Sequence, residues 1–168
     1  KQKFDVVIGS VHYIGDWGFD NPLYADRWRK VNIEQTWREY FKLVGELADL
    51  RLFDVVGHLD VAKRFGFRPD DKIVREIASE TLDKIACAKM AIEINTSGLR
   101  RPVKEIYPSP DLLQMARERN IPIVFGSDAH RADEVGYAFE KAILLAKKCG
   151  YNETLIFKNR KATAIPLP

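Results

Sequence analysis

The chain has 168 residues, 46% of them hydrophobic and 30% charged, which is the composition of one ordinary globular domain and excludes a disordered chain. Its 27 basic and 24 acidic residues leave a formal charge of +3, too small to argue for a nucleic-acid partner. No apolar run of about 18 residues is present to span a membrane, and the only two cysteines, Cys87 and Cys149, lack metal-type spacing and fit a reducing, cytoplasmic setting better than a disulfide framework.

The chain opens on Lys1-Gln2-Lys3 without a signal-peptide pattern and runs at once into the first strand-like segment, FDVVIGSV at 4–11. A helix is predicted over Asn32 to Leu50, where Ile33, Trp37, Tyr40, Phe41, Val44 and Leu47 recur at spacings of three and four. FDVVGH at 53–58 reads as the second strand, and Asp70 to Met90 as the second helix, on Ile73, Ile77, Leu82 and Ile85. AIEIN at 91–95 is the third strand. Pro110 suits the first turn of a third helix, with Ser109 as its N-cap. IPIVFGS at 121–127 is the fourth strand, Asp133 to Cys149 the fourth helix, and Gly150 its stop. TLIF at 154–157 is a weaker fifth strand.

Short strands that are apolar on both faces, alternating with amphipathic helices, argue for an α/β fold with a parallel sheet and right-handed crossovers. Periodicity alone leaves open whether these four to five β/α units of a single domain, 1–168, form part of a β/α barrel or an open doubly wound sheet. The polar residues are more informative. The chain has three histidines, His12, His58 and His130, and each falls at or just past the C-terminal end of a predicted strand, where β/α folds carry their active sites. Asp128 stands two residues before His130. If that segment is extended, both side chains point to the same side. Imidazole and carboxylate suit zinc, iron and manganese, so these four residues are candidate metal ligands, with Asp16, Asp20, Asp60 and Glu93 as nearby carboxylates. Taken singly, a strand-end His is more often a satisfied polar residue, and Asp128 could merely cap the next helix.

The segments GSVHYIGDWGFDNP (9–22), DVVGHLDVAKRFG (54–66), EINTSGLRRPVKEIYPSPDLL (93–113) and FGSDAHRADEVG (125–136) closely resemble the histidinol phosphatases of the polymerase-and-histidinol-phosphatase (PHP) superfamily. The resemblance implies a distorted (β/α)7 barrel with a cluster of two or three divalent ions. It implies hydrolysis of L-histidinol phosphate to L-histidinol and phosphate in histidine biosynthesis. Carried over motif by motif, it makes His12 and His58 ligands of the second metal, Asp128 a ligand of the first and His130 of the third. The H-x-H strand, further His ligands and bridging Glu with which family chains open are not found here. The chain is therefore expected to be the C-terminal part of such an enzyme, inactive alone, with the N-terminal strands of the barrel supplied upstream or by a separate chain.

Clustered metals lower the pKa of a bound water towards about 7 and neutralise phosphoryl oxygens during in-line displacement. Asp128 or His130 would assist proton transfer, and the residues do not choose between them. Arg64 and Arg100 are the expected phosphate-binding residues, since a guanidinium fork matches phosphate oxygens, with Arg101 a weaker candidate. Tyr13, Trp17 and Phe19 either stack against an imidazole-bearing substrate or pack their loop onto the fold. Asp20 is a candidate partner for a substrate ammonium group, and Trp28 and Trp37 are expected to pack helices. Two alternatives remain at this point: a phosphoesterase acting on another phosphate monoester, and a non-catalytic module of the same fold.

Overall fold

The computed structural model describes residues 3–168; Lys1 and Gln2, with which the sequence opens, lie outside the described residues. Four strands form one parallel sheet in chain order: β1 (Ile8–Gly9), β2 (Val55–Val56), β3 (Ala91–Asn95) and β4 (Ile123–Gly126). The register pairs Ile8 with Val55, Val55 with Ala91, and Asn95 with Gly126. Helices α1 (Ile33–Asp49), α2 (Asp71–Cys87) and α3 (Pro110–Glu118) connect successive strands, and α4 (Phe139–Lys148) follows β4. This is the α/β fold with a parallel sheet that the alternation predicted.

The first two strands are shorter than their apolar runs. Only two residues of each enter the ladder; just before it Asp54 holds Val7 through both main chain and side chain, its N–H donating to the Val7 carbonyl at 2.8 Å and its Oδ2 accepting Val7 N–H at 2.9 Å. The segment 154–157 is a strand, but not a member of the parallel sheet. It lies in β5 (Glu153–Lys158), paired antiparallel with β6 (Lys161–Pro166). The two-residue turn uses Asn159 and Arg160, both at positive φ (50° and 61°), as the hairpin twist requires. The fourth helix also starts later than Asp133. Gly136 (φ 71°) and Ala138 (φ 55°) adopt left-handed backbone that no α-helix continues through, and only a 3-10 turn covers Ala132–Glu134.

The core forms where the amphipathic faces meet the sheet. Asn32 caps α1 by accepting Gln35 N–H at 2.9 Å, and the apolar face of α1 buries Trp37, Tyr40, Phe41 and Val44. Thr81 of α2 satisfies its hydroxyl on the Phe41 carbonyl at 2.9 Å. The long segment between β1 and α1 is held down by aromatic packing. Trp28 is 1% exposed, stacks on Phe67 at 6.1 Å and donates its indole N–H to the Phe19 carbonyl at 2.8 Å. Phe19 meets Tyr40 edge to face at 5.1 Å, and Tyr40 bonds the Leu59 carbonyl at 3.0 Å. This packing fixes the two polar loops that follow β1 and β2. It also decides the role of two aromatics: Trp17 and Phe19 are buried in the core and unavailable to a ligand, whereas Tyr13 is exposed. Trp28 and Trp37 pack as expected. Both cysteines are free thiols, Cys149 buried and Cys87 exposed.

Candidate active site

A cavity of about 860 Å³ opens at the C-terminal ends of β1–β4, and His12, His58, Asp128, His130 and Arg64 all line it. The five come from three strand ends: His12 follows β1, His58 and Arg64 follow β2, and Asp128 and His130 follow β4. His12 follows β1 in the loop anchored by Trp17 and Phe19. Its Nδ1 lies 2.9 Å from Asp20 Oδ2. That hydrogen bond, opposed by burial and reinforced by the Asp20 charge, raises the His12 pKa. Burial alone would raise Asp20, but the hydrogen bond and charge of His12, with the Arg64 charge, outweigh it and keep Asp20 below the usual carboxylate range.

His58 follows β2 and is buried, with φ at 27°, in the left-handed region that costs a non-glycine residue strain. Glu93 of β3 supports that backbone: its Oε2 accepts His58 N–H at 3.1 Å and Asn95 Nδ2–H at 2.8 Å. Burial pushes the Glu93 carboxyl up despite these two donors. Gly126 of β4 leaves the room for it, since a Cβ there would overlap the Glu93 carboxylate. The His58 ring stands edge-on to His12 with centroids 5.0 Å apart, and its Nδ1 is buried with no hydrogen-bond partner among the described residues. Burial first, then the nearby His12 charge, lowers the His58 pKa and favours a neutral ring.

Asp128 and His130 reach the cavity by a different route from the one their spacing suggested. Asp128 has φ at 46° and lies beyond β4, so the segment is a turn rather than an extended strand. His130 is exposed at the rim. Its Nδ1 lies 3.0 Å from the Asp128 carbonyl oxygen and its N–H donates to Glu134 Oε2 at 2.9 Å. A carbonyl only accepts, so the Nδ1 carries a proton in this contact.

Of the two arginines assigned to phosphate, one lines the cavity. Arg64 points its guanidinium across it, with Nη1 3.9 Å from Asp20 and a buried Nε that has no partner among the described residues. Arg100 is turned away from it. Its Nη2 donates to the Ser127 carbonyl at 2.8 Å and to Glu134 at 3.3 Å, bracing the loop that carries Asp128. The neighbouring Arg101 lines the cavity wall in its place, with a buried Nε that has no partner among the described residues. The two arginines exchange places because the 3-10 turn Thr96–Arg100 ends between them, aiming consecutive side chains in different directions.

Sequence reasoning gave Glu93 only a minor place and passed over Asn95 and Tyr107, which also line the cavity. The signal was there for the first two: a Glu and an Asn inside the otherwise apolar run AIEIN, where an unpaired carboxylate is costly. Among the described residues, no three His, Cys, Asp or Glu side chains come close enough to hold one metal ion between them. His12, His58, Asp128 and His130 therefore share a cavity without closing a coordination shell.

Residues 1–97 match the PHP domain model and residues 113–150 the PHP-associated model. The chain is 44% identical over 158 residues to a probable histidinol-phosphatase of Deinococcus radiodurans, covering 94% of this chain and 59% of that one. It is 32% identical to a histidinol-phosphatase of Lactococcus lactis, covering 94% of this chain and 60% of that one. The chain thus spans about three fifths of the length of these relatives. Among solved structures, histidinol phosphate phosphatase from Lactococcus lactis in complex with zinc, L-histidinol and phosphate superposes with a TM-score of 0.78 at 30% identity, covering 96% of this chain and 63% of that one.

Proposed function

The chain belongs to the PHP domain family, and from that premise we propose that it acts in the metal-dependent hydrolysis of L-histidinol phosphate to L-histidinol and phosphate. One observation carries the reading. The imidazoles and carboxylate of His12, His58, Asp128 and His130 converge with the guanidinium of Arg64 on one cavity at the strand ends, a donor set that suits metal and phosphate together. Support comes also from the relatives, a probable histidinol-phosphatase and a histidinol-phosphatase, and from the zinc, L-histidinol and phosphate bound by the Lactococcus lactis protein.

These residues fit part of a metal-ligand set. The buried His58 Nδ1 has no partner among the described residues, and the hydrogen bond of the His130 ring uses Nδ1 and leaves Nε2 unengaged, so ring nitrogens are available without breaking a hydrogen bond. His12, His58, Asp128 and His130 would hold two or three divalent ions, zinc, iron or manganese, together with ligands from beyond the described residues. Bound metal supplies an activated water and neutralises phosphoryl charge. Arg64 and Arg101 would take the remaining phosphate oxygens with their free N–H groups, and Arg100 would act on the reaction through the Asp128 loop. Asp128 or His130, whichever metal leaves free, would move a proton to the leaving oxygen. In this reading the four parallel strands are an arc of a distorted (β/α)7 barrel, and the described chain is one PHP domain.

The test is release of phosphate from L-histidinol phosphate, compared with glycerol phosphate and p-nitrophenyl phosphate. Each is assayed with and without a chelator and after zinc or manganese is restored. Turnover of L-histidinol phosphate that chelator abolishes and metal restores is expected of a protein in which this segment is joined to the remaining two fifths of its relatives' length, and little or none of the 168-residue segment alone. Preference for another monoester would move the substrate assignment, and turnover indifferent to chelator would overturn the metal-dependent reading.

A further inference from the structure

We infer that Asp20 is a positioning residue that sets the tautomer of His12, holding the ring proton on Nδ1 so that the Nε2 lone pair is presented to the cavity. The inference rests on the reading of His12 as a metal ligand, but its first observable does not. Asp20 Oδ2 lies 2.9 Å from His12 Nδ1. An ionised carboxylate has no proton to give, so the shared hydrogen must belong to the imidazole. Asp20 lies between His12 and the Arg64 guanidinium, 2.9 Å from the one and 3.9 Å from the other, and its side chain is only 13% exposed, so water competes weakly for it. The hydrogen bond of the His12 ring among the described residues is the one from Nδ1 to Asp20, and the ring meets His58 in an edge-type pair with centroids 5.0 Å apart. A carboxylate behind a ligating imidazole orients the ring and strengthens it as a donor. Free histidine prefers the opposite tautomer, with the proton on Nε2, which cannot bind metal through that atom. Asp20 therefore removes a conformer that would compete with metal.

The position of Asp20 explains its dependence on the surrounding fold. It follows Phe19, which is wholly buried against Trp28 and Tyr40, so the carboxylate sits on a backbone that the aromatic packing holds still. The same carboxylate lies 3.9 Å from Arg64 Nη1, so one side chain touches both the imidazole and the guanidinium of the cavity.

Long-range nitrogen–carbon-bound-proton NMR at about pH 8.5, above the usual imidazole range, reads the His12 tautomer directly in the metal-free chain. The Nδ1–H form is expected to dominate for His12 in the wild type. In Asp20→Ala it shifts towards Nε2–H while the His58 resonances keep their tautomer pattern. Asp20→Asn, whose amide oxygen can still accept, is expected to be intermediate. Zinc affinity, measured by competition with a chromophoric chelator, should fall by about 10–100-fold in Asp20→Ala. An Nε2–H His12 in the wild type, or a tautomer unchanged in Asp20→Ala, overturns the inference. If the wild type binds no zinc at all, the metal reading fails, and the tautomer alone decides the role of Asp20.

Discussion

Gly126→Ala is a small change expected to have a large effect. The φ of Gly126 is not among the positive values, so alanine suits the backbone, and in isolation the substitution would stabilise by about 0.4–1 kcal/mol. The added Cβ, however, overlaps the Glu93 carboxylate. Glu93 cannot step aside cheaply, because its Oε2 holds His58 N–H at 3.1 Å and Asn95 Nδ2–H at 2.8 Å. Rotating it away sacrifices two hydrogen bonds to a charged group, each worth about 1.5–3 kcal/mol, and leaves the buried His58 N–H without a partner. The expected net loss is therefore about 3 kcal/mol or more. With a urea slope of about 2 kcal/mol per molar, the unfolding midpoint should fall by roughly 1.5 M. A double-mutant cycle isolates the cause: in a Glu93→Ala background the overlap is gone, and Gly126→Ala should be neutral or slightly stabilising. A loss below about 1 kcal/mol in the single variant, or the same loss in both backgrounds, would show that Glu93 is not wedged against this glycine.

Two further outcomes follow from the site. His12 has a raised pKa in the folded chain, so its contribution to stability is fully present below its ordinary value of 6.5 and is lost as pH rises through the higher folded value. The urea midpoint of the wild type minus that of His12→Asn should thus shrink from pH 6 towards pH 9, and a difference that grows would contradict the pairing with Asp20. Arg64→Met and Arg101→Met should each weaken inhibition by inorganic phosphate by about 10–100-fold, the worth of one charged hydrogen bond. Arg100→Met should instead lower turnover with little change in phosphate affinity. Steady-state inhibition at fixed ionic strength separates these arginines.

The local chemistry of the sequence anticipated α2 to within a few residues and brought all three histidines to the right end of the sheet, because strand ends in an α/β fold announce themselves by a polar residue after an apolar run. Other features gave no such local signal. β6 is exposed along its length, so it has no apolar alternation to detect, and β5 reads as a buried strand although its partner is the next segment of chain. The delayed start of α4 depends on left-handed backbone at Ala138, which its residue type does not suggest. The exchange of Arg100 and Arg101 turns on where one turn of 3-10 helix ends, a matter of a single residue that motif spacing cannot resolve. Glu93 was visible as an acid in an apolar strand, but its partner, the amide of His58, belongs to a neighbouring strand end 35 residues away.

The turn of the β5–β6 hairpin grips the end of the sheet opposite the cavity. Arg160 takes Asp54 with a forked guanidinium, at 3.0 Å and 3.1 Å, and its backbone N–H donates to the Asp5 carbonyl at 2.8 Å. Asn159 N–H reaches the Asp5 carboxylate at 2.8 Å, across 154 positions of sequence. During synthesis on a ribosome, Asp5 emerges long before Asn159 and Arg160 exist to grip it. At about 5–20 residues per second, its partners arrive roughly 8–30 s later. For that interval the segment ahead of β1 must wait without its anchor, the period in which a chaperone or a protease would find it most accessible.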